Sequence, residues 1–199
     1  ITTKPIIDNS DPFSALAFRF FLVAIGFYLF SVHSKCSIII NRRNLIESFF
    51  SGVLFHGLYL GGVFYSISIG MPTGIAALIV TLQPILTNLL SGPILGEKIT
   101  TKQWFGVLLG FIGAVLVLGL DVGSGIPLLG LIATLIALIA ITASTIWQKK
   151  LSGNLPLPIS NFYQAVGGCL FHVLIIIFFV EPYIEFSQTF IIAMSHQIF

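Results

Sequence analysis

Thr81, Gln83, Pro84, Thr87 and Asn88 stand within a few residues of one another inside a long apolar run. At about 100° per residue, Thr81, Pro84 and Asn88 fall on one arc and Gln83 and Thr87 on the adjoining one. Pro84 withdraws one backbone donor and frees the carbonyl of Val80. Neutral amides and hydroxyls beside a free carbonyl suit hydrogen bonding to a small polar solute. They suit equally well the interhelical hydrogen bonds of a kinked packing helix. A second stripe carries Gly52, His56, Tyr59, Ser66 and Gly70, with His56 near the middle of its run. A histidine there can relay a proton or remain a neutral, hydrogen-bonded imidazole. Asn161, Gln164, Gly168 and His172 form a third stripe, open to ligand contact or to packing. Arg19 lies about two turns into its run, where it either holds an anionic group or anchors its helix at the interface.

The elements that carry these residues are membrane spans. Only 8% of the residues are charged and mean hydropathy is +1.05, whereas soluble domains carry roughly 25% charge. Six apolar runs are near the ~20 residues a helical span needs: Phe13–Val32, Ser48–Ile69, Pro72–Leu95, Gln103–Leu120, Pro127–Trp147 and Ser160–Val180. A seventh starts near Gln188. The strict alternation of barrel strands is missing from the sequence. The pattern predicts an all-α, polytopic helical bundle embedded in a lipid bilayer.

Lys35, Arg42, Arg43, Lys98, Lys102, Lys149 and Lys150 fall on one side when the loops are alternated. Lys4, Asp8, Asp11, Asp121, Glu181 and Glu185 fall on the other. The bias predicts cytoplasmic loops at 33–47, 96–102 and 148–159. Trp104 and Trp147 then sit at cytoplasmic ends, and Glu97 and Lys98 cap or pair locally in a turn. Gly106, Gly110 and Gly113 read as a close-packing face between helices.

Several function classes find no residues to carry them. The sequence has no HExxH, GxSxG or Walker A pattern and no carboxylate within a span, so no enzyme, cofactor or metal site is expected. A net charge of +2 offers no basic face for nucleic acid. Cys36 and Cys169 have neither metal nor CxxC spacing, and a disulfide between them is not expected.

The chain also echoes itself. Shifted by about 145 residues, Lys4 falls on Lys149 and the segment around Asp11-Pro12 on Pro156-Leu157-Pro158. The offset spans an odd number of helices, so two such copies run in opposite directions, as in inverted-repeat transporters. A partner of Pro127–Trp147 would then end near Thr3.

Five motifs, in this order and spacing, resemble the EamA family of the drug/metabolite transporter (DMT) superfamily. Ala17-Phe18-Arg19-Phe20-Phe21-Leu22-Val23-Ala24 is similar to the family's Arg-containing second span. Leu82-Gln83-Pro84-Ile85-Leu86-Thr87 resembles its polar-Pro fourth span, and Gly96-Glu97-Lys98-Ile99-Thr100 its Gly-Glu turn. Gly106 with Gly110-Phe111-Ile112-Gly113-Ala114-Val115-Leu116 is similar to the fifth span. Trp147-Gln148-Lys149-Lys150 resembles the end of the sixth. The resemblance implies a ten-helix transporter built from two five-helix inverted repeats, with a central cavity reached by alternating access. On that plan residues 1–120 are a first repeat lacking most of its first helix. Residues 127–199 begin a second, truncated repeat, with the first helix and the last three missing or incomplete. The expected function is secondary transport of small polar metabolites, amino acids or related compounds, by efflux or exchange across the inner membrane. Substrate is expected among His56, Tyr59, Thr81, Gln83, Pro84, Asn88 and Gln164. A non-transporting scaffold or the decayed product of a shortened transporter gene is the alternative, and assembly of two copies stays open.

Overall fold

The structure, a computed structural model, describes residues 3–96, 100–118, 125–151 and 155–198. Its helices are α1 (Thr3–Asp8), α2 (Pro12–His33), α3 (Arg42–Gly52), a π-helical stretch (Val53–Tyr59), α4 (Leu60–Ser68), α5 (Thr73–Val80), α6 (Gln83–Leu95), α7 (Thr101–Leu118), α8 (Leu128–Leu151), α9 (Leu157–Phe179) and α10 (Gln188–Ile198). Among the described residues five continuous stretches are long and apolar enough to cross a membrane: Pro12–His33, Arg42–Ser68, Thr73–Leu95, Leu128–Lys149 and Leu157–Phe179. They match five of the six expected runs. The sixth, Gln103–Leu120, corresponds to α7, and its end lies outside the described residues, as do Glu97, Lys98 and Asp121.

Two boundaries correct the expectation. The second span begins at Arg42, six residues early, because Asn41 caps it: the Asn41 side chain accepts from the Asn44 amide at 2.7 Å. Arg43 then pairs with Glu47 at 2.9 Å, one turn on. Counting apolar residues passes over such a polar first turn, so the expected loop 33–47 is in fact 34–41. The third span is two helices rather than one helix kinked at Pro84. The chain breaks at Thr81–Leu82, where Thr81 Oγ1 donates to the Leu78 carbonyl at 2.6 Å. Pro84 sits in the first turn of α6, where a missing donor costs nothing.

The bundle turns on an antiparallel seam between α2 and α9. Phe13 meets His172 (6.0 Å between ring centroids), Cys169 Sγ lies 3.5 Å from the Ala17 carbonyl, and Tyr28 meets Phe162 (5.9 Å). As one sequence number rises the other falls, so the helices run in opposite directions. Alanines and a few large side chains fill the core beside the seam, with Leu16, Phe20, Phe64, Ala165 and Phe190 all buried. The seam extends beyond the helices. Asp11 N–H donates to Tyr183 O at 2.9 Å, and Glu185 N–H to Asn9 O at 2.8 Å.

Glycines draw the backbones together, but not the expected ones. A Cβ on Gly52 would fall on the Gln164 backbone, one on Gly168 on the His56 Cβ, and one on Gly167 within 2.5 Å of the Phe49 carbonyl. At Gly106, Gly110 and Gly113 a Cβ would meet nothing within 4 Å. The close-packing role expected for those three finds no partner among the described residues. Their face of α7 is open among the described residues, and the tight contacts belong to α3, the π-helical stretch and α9.

Candidate functional site

The break between α5 and α6 turns Thr81, Gln83, Pro84 and Asn88 toward α7. There they line a groove of about 710 Å³ with Gln103, Gly106 and Gly110 of α7, Ile141 of α8 and Tyr59. A second hollow of about 520 Å³ runs along α5, lined by Thr3 and Lys4 of α1, Val63 and Ile67 of α4, and Thr73, Ala76 and Ala77. Tyr59 and Val80 line both hollows, so the two meet end to end. Five of the seven expected substrate residues (Tyr59, Thr81, Gln83, Pro84 and Asn88) are thus brought together.

The amides of this groove are partly committed. Gln83 Nε2 donates to Thr145 Oγ1 at 3.0 Å, whose own proton goes to the Ile141 carbonyl at 2.8 Å. The amide is thereby oriented, and its carbonyl oxygen remains available. Gln103 Oε1 accepts from the Thr100 amide (2.8 Å) and hydroxyl (2.9 Å), a capping box at the start of α7 that leaves its NH₂ available. The Asn88 side chain makes no hydrogen bond among the described residues. Thr87, next to it, keeps a buried Oγ1 without a partner. The lining of the larger groove carries no charged side chain.

His56 and Gln164 are not in the groove, a correction with two separate causes. The expectation put His56 and Tyr59 on one arc at α-helical spacing, but Val53–Tyr59 is π-helical. A π turn takes more residues per revolution, so three positions on, Tyr59 has come less far round toward the His56 face. Tyr59 faces the groove, while His56 packs on the other side against Phe20 at 4.4 Å between centroids. Its carbonyl lies 3.0 Å from His172 Nε2. A carbonyl only accepts, so His172 donates from Nε2. Gln164 serves a polar seam instead: it accepts from Gln148 Nε2 at 3.2 Å and donates to Ser160 Oγ at 3.0 Å. Gln148 continues to Ser144 and Ser144 to Ser51, which joins α3, α8 and α9 through neutral hydrogen bonds.

Arg19 meets the end of α10. Its Nη1 donates to Gln197 Oε1 at 3.0 Å and its Nη2 to the Gln197 carbonyl at 2.7 Å, tying α2 to the end of α10. The guanidinium also stands 5.4 Å from the Phe20 ring centroid. Lys4, missed as a groove residue, was legible only as a loop charge, because nothing in the sequence says that α1 packs on α4 and faces α5 across a hollow.

These features define a multi-pass helical membrane protein with an open groove, largely apolar and carrying a few neutral polar groups, beside one broken span. Residues 1–119 match the EamA-like transporter family, and the chain belongs to that family. It is 25% identical over 166 residues to the uncharacterized transporter YvbV of Bacillus subtilis, covering 78% of this chain and 53% of that one. It is 26% identical over 155 residues to the "Probable amino-acid metabolite efflux pump" of Escherichia coli, covering 77% and 50%. The protein of the same description from Salmonella typhimurium is 25% identical over 159 residues, covering 79% and 51%. The chain therefore spans about half the length of the curated relatives it matches. A solved crystal structure shares its fold with a TM-score of 0.72 at 19% identity, over 94% of this chain and 66% of that one.

Proposed function

We propose that this chain forms part of a secondary transporter that moves small polar metabolites, amino acids or related compounds, by alternating access. The observation that carries the reading is the groove. Neutral hydrogen-bonding groups converge where one span is interrupted, as they do at transporter binding sites. The relatives described as amino-acid metabolite efflux pumps support the substrate class and favour efflux or exchange. Tyr59, Thr81, Gln83 and Asn88 then contact the solute, and Pro84 and the Thr81–Leu82 break supply free backbone.

The same reading takes residues 1–120 and 127–199 as parts of two inverted repeats of a ten-helix protein. In its favour, α2 and α9 begin at Pro12 and Leu157, the offset that also relates Lys4 to Lys149, and they pack antiparallel. Helices α3 and α10 begin at Arg42 and Gln188, an offset greater by one residue. We place the protein in the inner membrane, and the excess of Lys and Arg favours an orientation with 34–41, 96–102 and 148–159 facing the cytoplasm. The test is counterflow of radiolabelled amino acids in vesicles containing the protein that carries this chain. Protein-dependent exchange that falls with Gln83→Leu is expected. Absence of such exchange across a panel of amino acids and their close derivatives overturns the reading.

A further inference from the structure

The two ends of the groove differ chemically. One end presents neutral amides from Gln83, Asn88 and Gln103. The other has apolar walls from Val63, Ile67 and Ala76, hydroxyl groups from Thr3, Tyr59 and Thr73, and, among the described residues, one charged side chain, the exposed Lys4. Lys4 is held on a fixed element. Ile6, in the same short helix, is fully buried, Asn9 Nδ2 donates to the Pro5 carbonyl at 2.8 Å, and Ser10 Oγ donates to the Ile6 carbonyl at 2.7 Å.

No carboxylate described in the structure lies within 4.0 Å of the Lys4 ammonium. The nearby acids have other work or stand clear. The Asp11 carboxylate caps α2 by accepting from the Ser14 amide at 2.6 Å, and Glu185 accepts from the Tyr183 hydroxyl at 2.8 Å. Asp8, one turn along the same helix, is exposed. Lys4 is exposed, with Asp8 one turn away and no ion pair to it, and its charge attracts anions to that mouth.

We infer that Lys4 recognises a carboxylate on the transported solute at the α1–α5 mouth of the groove, so that the substrate class is carboxylate-bearing rather than merely polar. The inference rests on the transporter reading and adds to it a charge requirement at a named residue. Lys4 lines one hollow and the amides line the other, which makes two stations of the groove.

The test compares a neutral amino acid with its own carboxamide in vesicle counterflow, for the unaltered protein and for Lys4→Arg, Lys4→Gln and Lys4→Glu. For the amino acid, Lys4→Gln is expected to raise KM up to about fivefold, the range of an exposed ion pair, and Lys4→Glu to raise it further. Lys4→Arg should retain the original value. KM for the carboxamide should not rise, and the discrimination should shrink as ionic strength is raised. An equal change for both solutes, or none for either, overturns the role of Lys4 while leaving transport standing. Loss of protein-dependent flux for both solutes in the unaltered protein overturns the transport reading and this inference with it.

Discussion

Gly168→Ala should weaken the bundle, and Gly110→Ala should not. A Cβ on Gly168 lands on the Cβ of His56 and within 3.4 and 3.5 Å of its Cγ and Cα. Carbon atoms settle at about 3.5–4.0 Å, and the His56 Cβ and Cα cannot swing away, because the backbone of the π-helical stretch fixes them. Helix α9 must shift instead. Overpacking of this kind costs about 1–3 kcal/mol, while replacing a helical glycine by alanine returns about 0.5–1 kcal/mol. The net loss is about 0–2.5 kcal/mol, or up to roughly 10 °C in Tm for a chain of this size. At Gly110 the added Cβ meets nothing within 4 Å, so only the propensity gain of about 0.5–1 kcal/mol remains. Thermal unfolding in detergent, followed by tryptophan fluorescence at one fixed scan rate, should give shifts of opposite sign. Equal destabilisation at both positions would refute the reasoning and restore the α7 glycines as a packing face.

Three further outcomes follow from the same geometry. Gly106→Leu should abolish or sharply reduce exchange while leaving Tm within a few degrees, measured by counterflow and thermal unfolding on one preparation, because the added side chain enters the groove where a Cβ meets nothing. His172→Phe removes the donor to the His56 carbonyl. It should cost about 0.6–2 kcal/mol and raise KM for the transported solute, since the π turn that directs Tyr59 loses its clamp; an unchanged KM would separate His172 from the groove. Cys36 lies in the 34–41 loop and is a free thiol, so in intact cells it should react with a membrane-permeant maleimide and be spared by an impermeant one, and labelling by both would reverse the proposed orientation.

Spans were legible because burial in lipid demands about 20 apolar residues, whatever their neighbours. That is why Pro12–His33 and Leu157–Phe179 are found within three residues of their expected ends. The polar-Pro segment was legible for a related reason. Four hydrogen-bonding residues beside a proline in an apolar run have few explanations, and Thr81, Gln83, Pro84 and Asn88 do line one groove. His56 failed because its place depends on a π turn, and no residue pattern from Val53 to Tyr59 announces i→i+5 bonding. Its causes lie across the bundle, at Gly168 and His172. Gln164 failed because a buried amide serves a polar seam as well as it serves a ligand, and only the positions of Ser160 and Gln148 decide between them. The glycines misled in the same way. Spacing gives a helix a smooth face, but the partner that uses it belongs to tertiary structure.

The early start of the second span sets how this protein sits in lipid. From Arg42 to Ser68 the helical stretch has 27 residues, about 40 Å at 1.5 Å per residue, against a hydrocarbon thickness of about 30 Å. The surplus matches the polar opening of the helix, where Arg43 is 85% exposed. That turn therefore stands among the headgroups rather than in the acyl region, with Arg42 and Arg43 at the level of the lipid phosphates. A thicker bilayer can swallow it only by drawing charges into oil or by making the helix more upright. Since the same rod carries Tyr59 farther along, membrane thickness becomes a mechanical input to the groove.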